Sequence, residues 1–496
     1  MTTPPSDASR SDPGPGRYDP RSLDRTVIAV PLLQRIRAAA DRGDSTPIPV
    51  VLDLNLEFAP DRASATEVAL RLIQAACESA GEPTVTQGVA DPMVGGPYLL
   101  GRLQPEVIVA LARANTAQGK PIFRIWPDFE VKALLDRSIS TVKADAAHAA
   151  YAALGKNVCW AVLDTGVDAR HPHFREFDNL NTSGLPHRDF TNAQGDGAHD
   201  ANGHGTHVAG IIAGRGKATR GHPLSAVRMQ RDEDGEVCGE LTPLASISGI
   251  APQCSIVSYK VLDDHGIGGT GAILTAPDAI QQVNDHGRRL RIHGINLSLG
   301  YDFNPEWFAC GQSPLCVEVD RMVRSGVVVV VAAGNSGYAY ATDALTMQAG
   351  AAGRPLTIND PGNAAGAITV GSTHRDSPHV YGVSYFSSKG PTGDGRAKPD
   401  LVAPGERILS AAAGSMADKA GAMVGRTVRY VEESGTSMAA PHVSGVIAAF
   451  LSIRREFIGN PEKVKEIFTS TATDLGRVRD FQGHGLIDAI RAIQSV

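Results

Sequence analysis

Apolar residues in this chain come in short runs set between glycine-rich and polar stretches, the pattern of buried strands alternating with helices. Val50 to Leu56 alternates in its second half as a strand does. The helical pattern Ala65 to Ser79 follows Ser64 and Glu67, which are spaced as a capping box. Tyr98 to Leu103 and Ile122 to Trp126 read as two more strands, with Pro105 suited to open a helix reaching about Ala114. These elements predict a small α+β unit of the split-βαβ kind over residues 46–135, behind a polar, proline-rich, flexible lead over residues 1–45. Residues 136–496 repeat the strand and helix pattern on a larger scale. Ala144 to Leu154 is alanine-rich and helical in pattern, whereas Ile256 to Leu262, Ile295 to Gly300 and Val327 to Ala333 read as strands, the last buried in a parallel sheet. Arg215 to Ser246, polar and rich in glycine and charge, reads as a solvated surface insertion.

Chemistry enters at Gly435-Thr436-Ser437-Met438-Ala439-Ala440-Pro441-His442, where a hydroxyl stands among small residues directly ahead of the apolar helical pattern Val443 to Leu451. A serine at a helix N-terminus lies beside unpaired backbone N–H groups and the positive end of the helix dipole, both suited to an oxyanion. Alone, such a motif is better read as an ordinary helix cap. Two upstream partners change that reading. Val162-Leu163-Asp164-Thr165-Gly166-Val167 ends an apolar strand in a carboxylate and a glycine turn, and Asn202-Gly203-His204-Gly205-Thr206-His207 sets a histidine at the start of a small-residue helix.

In the chain order Asp, His, Ser, these three motifs resemble the subtilase family of serine proteases, over about Val158 to about Ala489. The resemblance implies an α/β fold, a subtilisin-like parallel sheet flanked by helices, and serine endopeptidase activity. It implies Ser437 as nucleophile, His204 as general base and Asp164 as the carboxylate that orients the imidazole, with His207 a packed neighbour. Asn335, in Ala332-Ala333-Gly334-Asn335-Ser336-Gly337, would join the Ser437 N–H in an oxyanion hole. Gly266 and Gly268 on one side, and Ser298, Leu299 and Gly300 on the other, would offer backbone edges to an extended polypeptide, with Ala333 and Gly334 also contacting it. Tyr338 to Asp360 would be a long substrate-facing loop. The α+β unit resembles the inhibitory pro-domain of the same family. Its tail, Glu130 to Leu135, would lie in the cleft and be cut near Leu134, Leu135 or Asp136, so that the protein is made as a latent precursor.

Composition narrows the remaining classes. With 20% charged residues and a net charge of -6, no basic surface points to nucleic acid, and the most hydrophobic run, Val327 to Ala333, is too short to span a bilayer. Six scattered cysteines do not make a disulfide scaffold, although Cys310 and Cys316 are close enough to pair in an oxidising compartment. Met1 to Arg25 lacks the apolar core of a signal peptide, so a cytoplasmic location is expected, with secretion left open. The histidines show no ligand-like clustering, and no metal or cofactor is expected. Asp232 to Glu236 leaves calcium possible, although it lacks the full alternation of a calcium loop and a solvated insertion is favoured. The expected partners are a polypeptide substrate and the chain's own pro-domain. Two rivals arise, of which only the second stays open. Gly266, Gly268 and Gly271 have dinucleotide-binding spacing, though Asp263 and Asp264 would repel a pyrophosphate. The same fold could also serve as a catalytically silent binding or scaffold protein.

Overall fold

A computed structural model of the protein describes residues 27–55, 58, 62–80, 98–117, 119–127 and 137–496, apart from residues 183, 193–194, 220, 222, 232–235, 307 and 343–348. Contacts along the chain fall into two units, Met1–Ala133 and Leu134–Val496. In the first, three strands lie antiparallel in the order Tyr98–Leu103, Ile48–Leu54, Ile122–Pro127. Val50, Leu52 and Leu54 alternate into a core shared with the helices Arg62–Ser79 and Pro105–Ala117. This pairing is that of the first, third and fourth strands of a split-βαβ unit. Ser64 lies inside its helix, which already includes Arg62, so the Ser64/Glu67 pair is not the cap. The lead is also not polar and flexible throughout. Val30–Arg42 is a helix whose Leu32, Ile36 and Ala39, at helical spacing, are buried, the first two in this core. Its apolar stripe is diluted by Arg and Asp on the opposite face.

The second unit is built on seven parallel strands in the order Leu401–Glu406, Ile368–His374, Val328–Ala332, Gly294–Leu297, Cys159–Asp164, Ser255–Lys260, Arg188–Asp189. Period-two alternation feeds a core on each face. Trp160, Val162, Val328 and Val330 enter one, while Ala161, Leu163, Val329 and Val331 enter the other. Sheets covered on both faces need strands that are apolar throughout, which is why these segments read as continuous hydrophobic runs. Strand Cys159–Asp164 sits between Ser255–Lys260 and Gly294–Leu297, so the chain reverses its direction of travel across the sheet there. A crevice opens at the carboxyl ends of strands at such a point.

Helix Thr436–Ile453 runs through the first of these cores. It is long and apolar enough to cross a bilayer, but 83% of it is buried in the fold, as expected of a core helix. The segment 215–246, expected to be a solvated insertion, is instead mostly strand. Leu224–Arg231 and Val237–Leu244 form an antiparallel hairpin that extends the pair Ile408–Ala411 and Tyr430–Glu433. Ala226 and Val227 of the first of these strands are fully buried, in separate apolar clusters. The polar residues that suggested a loop occupy exposed and half-buried positions of a ribbon. Asp232 to Asp234 lie outside the described residues. Tyr338–Thr342 and Ala349–Gly353 likewise pair as a hairpin within the expected long loop.

Candidate active site

Asp164 ends its strand fully buried, and its Oδ1 accepts the Nδ1–H of His204 at 2.7 Å and the N–H of Thr165 at 2.8 Å. Helix His204–Ile212 can approach this turn because residue 205 is glycine. A Cβ there would stand 2.1 Å from the Gly166 carbonyl oxygen and 3.0 Å from the Asp164 Cβ. Asp200 holds the same helix end. One carboxylate oxygen accepts Gly203 N–H at 2.8 Å and the Thr165 hydroxyl at 2.9 Å, and the other accepts Thr206 N–H at 2.9 Å and its hydroxyl at 2.7 Å. An acid at a helix N-terminus satisfies orphan N–H groups and favours the dipole. Burial by itself would lower the His204 pKa, but the charge and hydrogen bond of Asp164, helped by Asp200 and Glu433, hold it above the ordinary imidazole value. His207 behaves differently: fully buried, with Nε2 on the Val431 carbonyl, it is pushed down to about 3 by desolvation and stays neutral.

Ser437 lies in the first turn of Thr436–Ile453, with its hydroxyl donating to the Ser298 carbonyl at 3.1 Å. Pro441 has no N–H to return to the Ser437 carbonyl, as a helix would otherwise require. The Ser298 hydroxyl donates to that oxygen instead, at 2.9 Å. Behind it, Asn296 donates to the Ser298 hydroxyl at 2.9 Å and accepts from the Ser444 hydroxyl at 2.8 Å, so a buried polar chain pins the serine. Asn335 is anchored through its oxygen, which accepts Thr436 N–H at 2.9 Å and the Thr436 hydroxyl at 3.0 Å. That anchor leaves the amide NH2 free to donate beside Gly435 and Ser437.

His204, Ser437 and Asn335 line one cleft of about 640 Å3, together with Gly266, Gly268, Ser298, Leu299, Gly300 and Gly334. Gly268 is needed for close approach, since a Cβ there would meet the Val261 carbonyl oxygen at 2.7 Å. Ala333 departs from expectation. It is fully buried and outside the cleft, with its N–H on the Val370 carbonyl and its carbonyl on Asn359 N–H; Ala332 lines the cleft in its place. Of the stretch 338–360, Asn359 reaches the cleft. The dinucleotide reading of the glycine loop is also closed. Asp263 itself accepts the N–H groups of His265 and Ile267, each at 2.9 Å, where a phosphate would have to bind.

Sequence reasoning missed Asp200, Asn296, Thr436 and Asn359. Asp200, four residues before His204, was the most legible of them; the others are defined by contacts between distant segments. Among the described residues no group of His, Cys, Asp and Glu could hold a metal ion, and all six cysteines are free.

Comparison with known proteins bears on the same region. The sequence profile of the subtilase family matches residues 155–485. Serine protease AprX of Bacillus subtilis (strain 168) is 30% identical over 400 residues, 78% of each chain. Subtilisin E of the same strain is 30% identical over 357 residues, 72% of this chain and 70% of its own. A thermostable alkaline protease of Halalkalibacterium halodurans is 29% identical over 334 residues, 67% of each chain.

Proposed function

The chain belongs to the subtilase family and is a serine-type endopeptidase acting on polypeptides, and from that premise we propose that Ser437, His204 and Asp164 are its catalytic triad. The observation that carries the assignment is the 2.7 Å bond from His204 Nδ1 to buried Asp164, with Ser437 on the same cleft. Because Nδ1–H is committed to the carboxylate, the lone pair of Nε2 is left to act as base. In the reaction the Ser437 hydroxyl would leave the Ser298 carbonyl and give its proton to that lone pair. The serine oxygen would then add to the scissile carbonyl, and the oxyanion would be held by the Asn335 amide and the Ser437 N–H. Collapse would expel the amine with the proton returned from His204, leaving an acyl-enzyme for water to hydrolyse. Gly266 and Gly268, opposite Ser298 to Gly300 and Gly334, would flank the extended substrate.

Against the scaffold alternative stands the presence of His204, Ser437 and Asn335 on one cleft, with His204 bonded to Asp164. A serine-directed fluorophosphonate should label the activated wild type and not Ser437→Ala; an unlabelled wild type would support the scaffold reading. Asn335→Ala should lower kcat by about 10²–10³-fold with little change in KM, a range adopted from loss of such a donor in a subtilisin. An unchanged kcat would remove Asn335 from the oxyanion hole.

A pH limb follows from the raised His204 pKa. The base must be neutral, so activity is lost as pH falls through that value. The acidic limb of kcat/KM should have its midpoint above about 6.5, the unperturbed imidazole value. A rate flat down to pH 5 would exclude His204 as base.

The first unit is proposed to act as an inhibitory pro-domain removed by self-cleavage near Leu134, Leu135 or Asp136, residues that lie outside the described set. The split-βαβ pairing and separate core of that unit support this reading.

A further inference from the structure

Strand Tyr430–Glu433 leads into the serine motif with two consecutive acids that face opposite environments. Glu432 is buried and closed on by three guanidiniums: Arg228 at 3.2 Å, Arg375 at 2.9 Å and Arg407 at 2.9 Å. Glu433, next in the strand and half-buried, has no ion-pair partner among the described residues. Glu433 lines a cavity of about 650 Å3 with Met229, Arg231 and Val237 of the hairpin, Tyr385, Arg407 and Ser434. A smaller cavity of about 340 Å3 shares Tyr385, Arg407 and Ser434 with it and reaches Asn335, adding Glu406, a second carboxylate without an ion-pair partner among the described residues. The smaller cavity shares Asn335 with the first cleft and so links it to the cavity of Glu433, and neither includes the backbone edges expected to hold the acyl side of a substrate. A chain running past Ser437 away from those edges therefore enters them with its leaving-group side.

We propose that Glu433 makes this side of the cleft select a cationic residue, arginine or lysine, within the first two positions after the cleaved bond. The inference rests on the triad reading above. A half-buried carboxylate without a counter-ion gains from a cation more than an exposed one does, because water screens it less. Neither arginine of the cavity supplies that cation: Arg231 makes no ion pair with Glu433, and Arg407 is engaged elsewhere. Its Nε is bound to Glu432, and one terminal nitrogen donates to the Met229 carbonyl at 3.2 Å. The walls suit the rest of a long basic side chain: Met229 and Val237 can cover its methylenes, and the 68% exposed ring of Tyr385 offers a face to its charge. Glu433 also acts electrostatically on His204, together with Asp164 and Asp200, while Glu432 and Lys419 act on Glu433.

The test uses the full chain after any self-processing, and quenched-fluorescence peptides whose cleaved bond has been identified by mass. The peptides differ only in carrying Arg, Gln or Glu at the two positions after that bond. The wild type should show kcat/KM for Arg about tenfold above Gln, with Glu lowest. The Arg-to-Gln ratio should shrink in Glu433→Gln, and in the wild type as salt is raised, a readout that does not depend on how the variant folds. Equal rates for Arg and Gln in the wild type, a preference for Glu, or an unchanged ratio in an active Glu433→Gln would each overturn the proposal. Complete absence of Ser437-dependent cleavage would instead sink the triad reading, and this inference with it.

Discussion

Ser437→Ala is expected to lower kcat by about 10⁶-fold, a magnitude adopted from a subtilisin that lost its nucleophile. The substitution removes only the attacking oxygen. Its cost to the fold should be small, because the hydroxyl makes one hydrogen bond, to the Ser298 carbonyl, while the backbone carbonyl of residue 437 keeps its bond from the Ser298 hydroxyl. The intact mass of the same variant tests the precursor. If Ser437 performs self-cleavage, the wild type should lose a fragment ending near Leu135 and the variant should keep full length. A variant that is still processed in isolation would break the link between this serine and maturation. A wild type that stays full length while hydrolysing peptides would show that the first unit is not a cleaved pro-domain.

Asp164→Asn is the second large effect, expected at about 10⁴-fold in kcat, a figure taken from a triad with the same roles on another fold. The amide nearly preserves shape, so the loss isolates charge and orientation. With the carboxylate gone, the imidazolium formed during attack loses its buried counter-charge, and an amide NH2 turned toward Nδ1 would favour the tautomer with no lone pair on Nε2. A second signature comes with it. Asp164 is the main group raising the His204 pKa against burial, so the acidic limb of the residual activity should move to lower pH. A variant that keeps a tenth of the wild-type rate, or an unshifted limb, would remove Asp164 from its assigned role.

The two units differ in how visibly their sequences state their structures. In the second unit the central strands Cys159–Asp164 and Val328–Ala332 are almost wholly apolar, and the glycines mark turns or close approaches, as at Gly205 and Gly268. Such local signals do not depend on distant partners. The helix Val30–Arg42 and the hairpin between Leu224 and Leu244 were harder to see, because each buries only a few apolar residues and shows its polar ones to solvent. Their burial depends on what packs above them, which periodicity alone does not report.

The site divides in the same way. Asp164, His204, Ser437 and Asn335 each stand in a local motif whose backbone geometry requires particular small neighbours, so their places are written in consecutive residues. By itself the sequence determined the parallel α/β class, the family and these four candidates. Only the tertiary structure decided that Ala332 and not Ala333 faces the cleft, that Asp200 clamps the histidine helix, and that Ser298, held by Asn296, meets the carbonyl left unbonded by Pro441. It also decided that Glu432 is neutralised by three arginines while its neighbour Glu433 is not. Each of these depends on segments far apart in the chain. Parallel strands need long crossovers, and packing fixes which side chains those crossovers bring together.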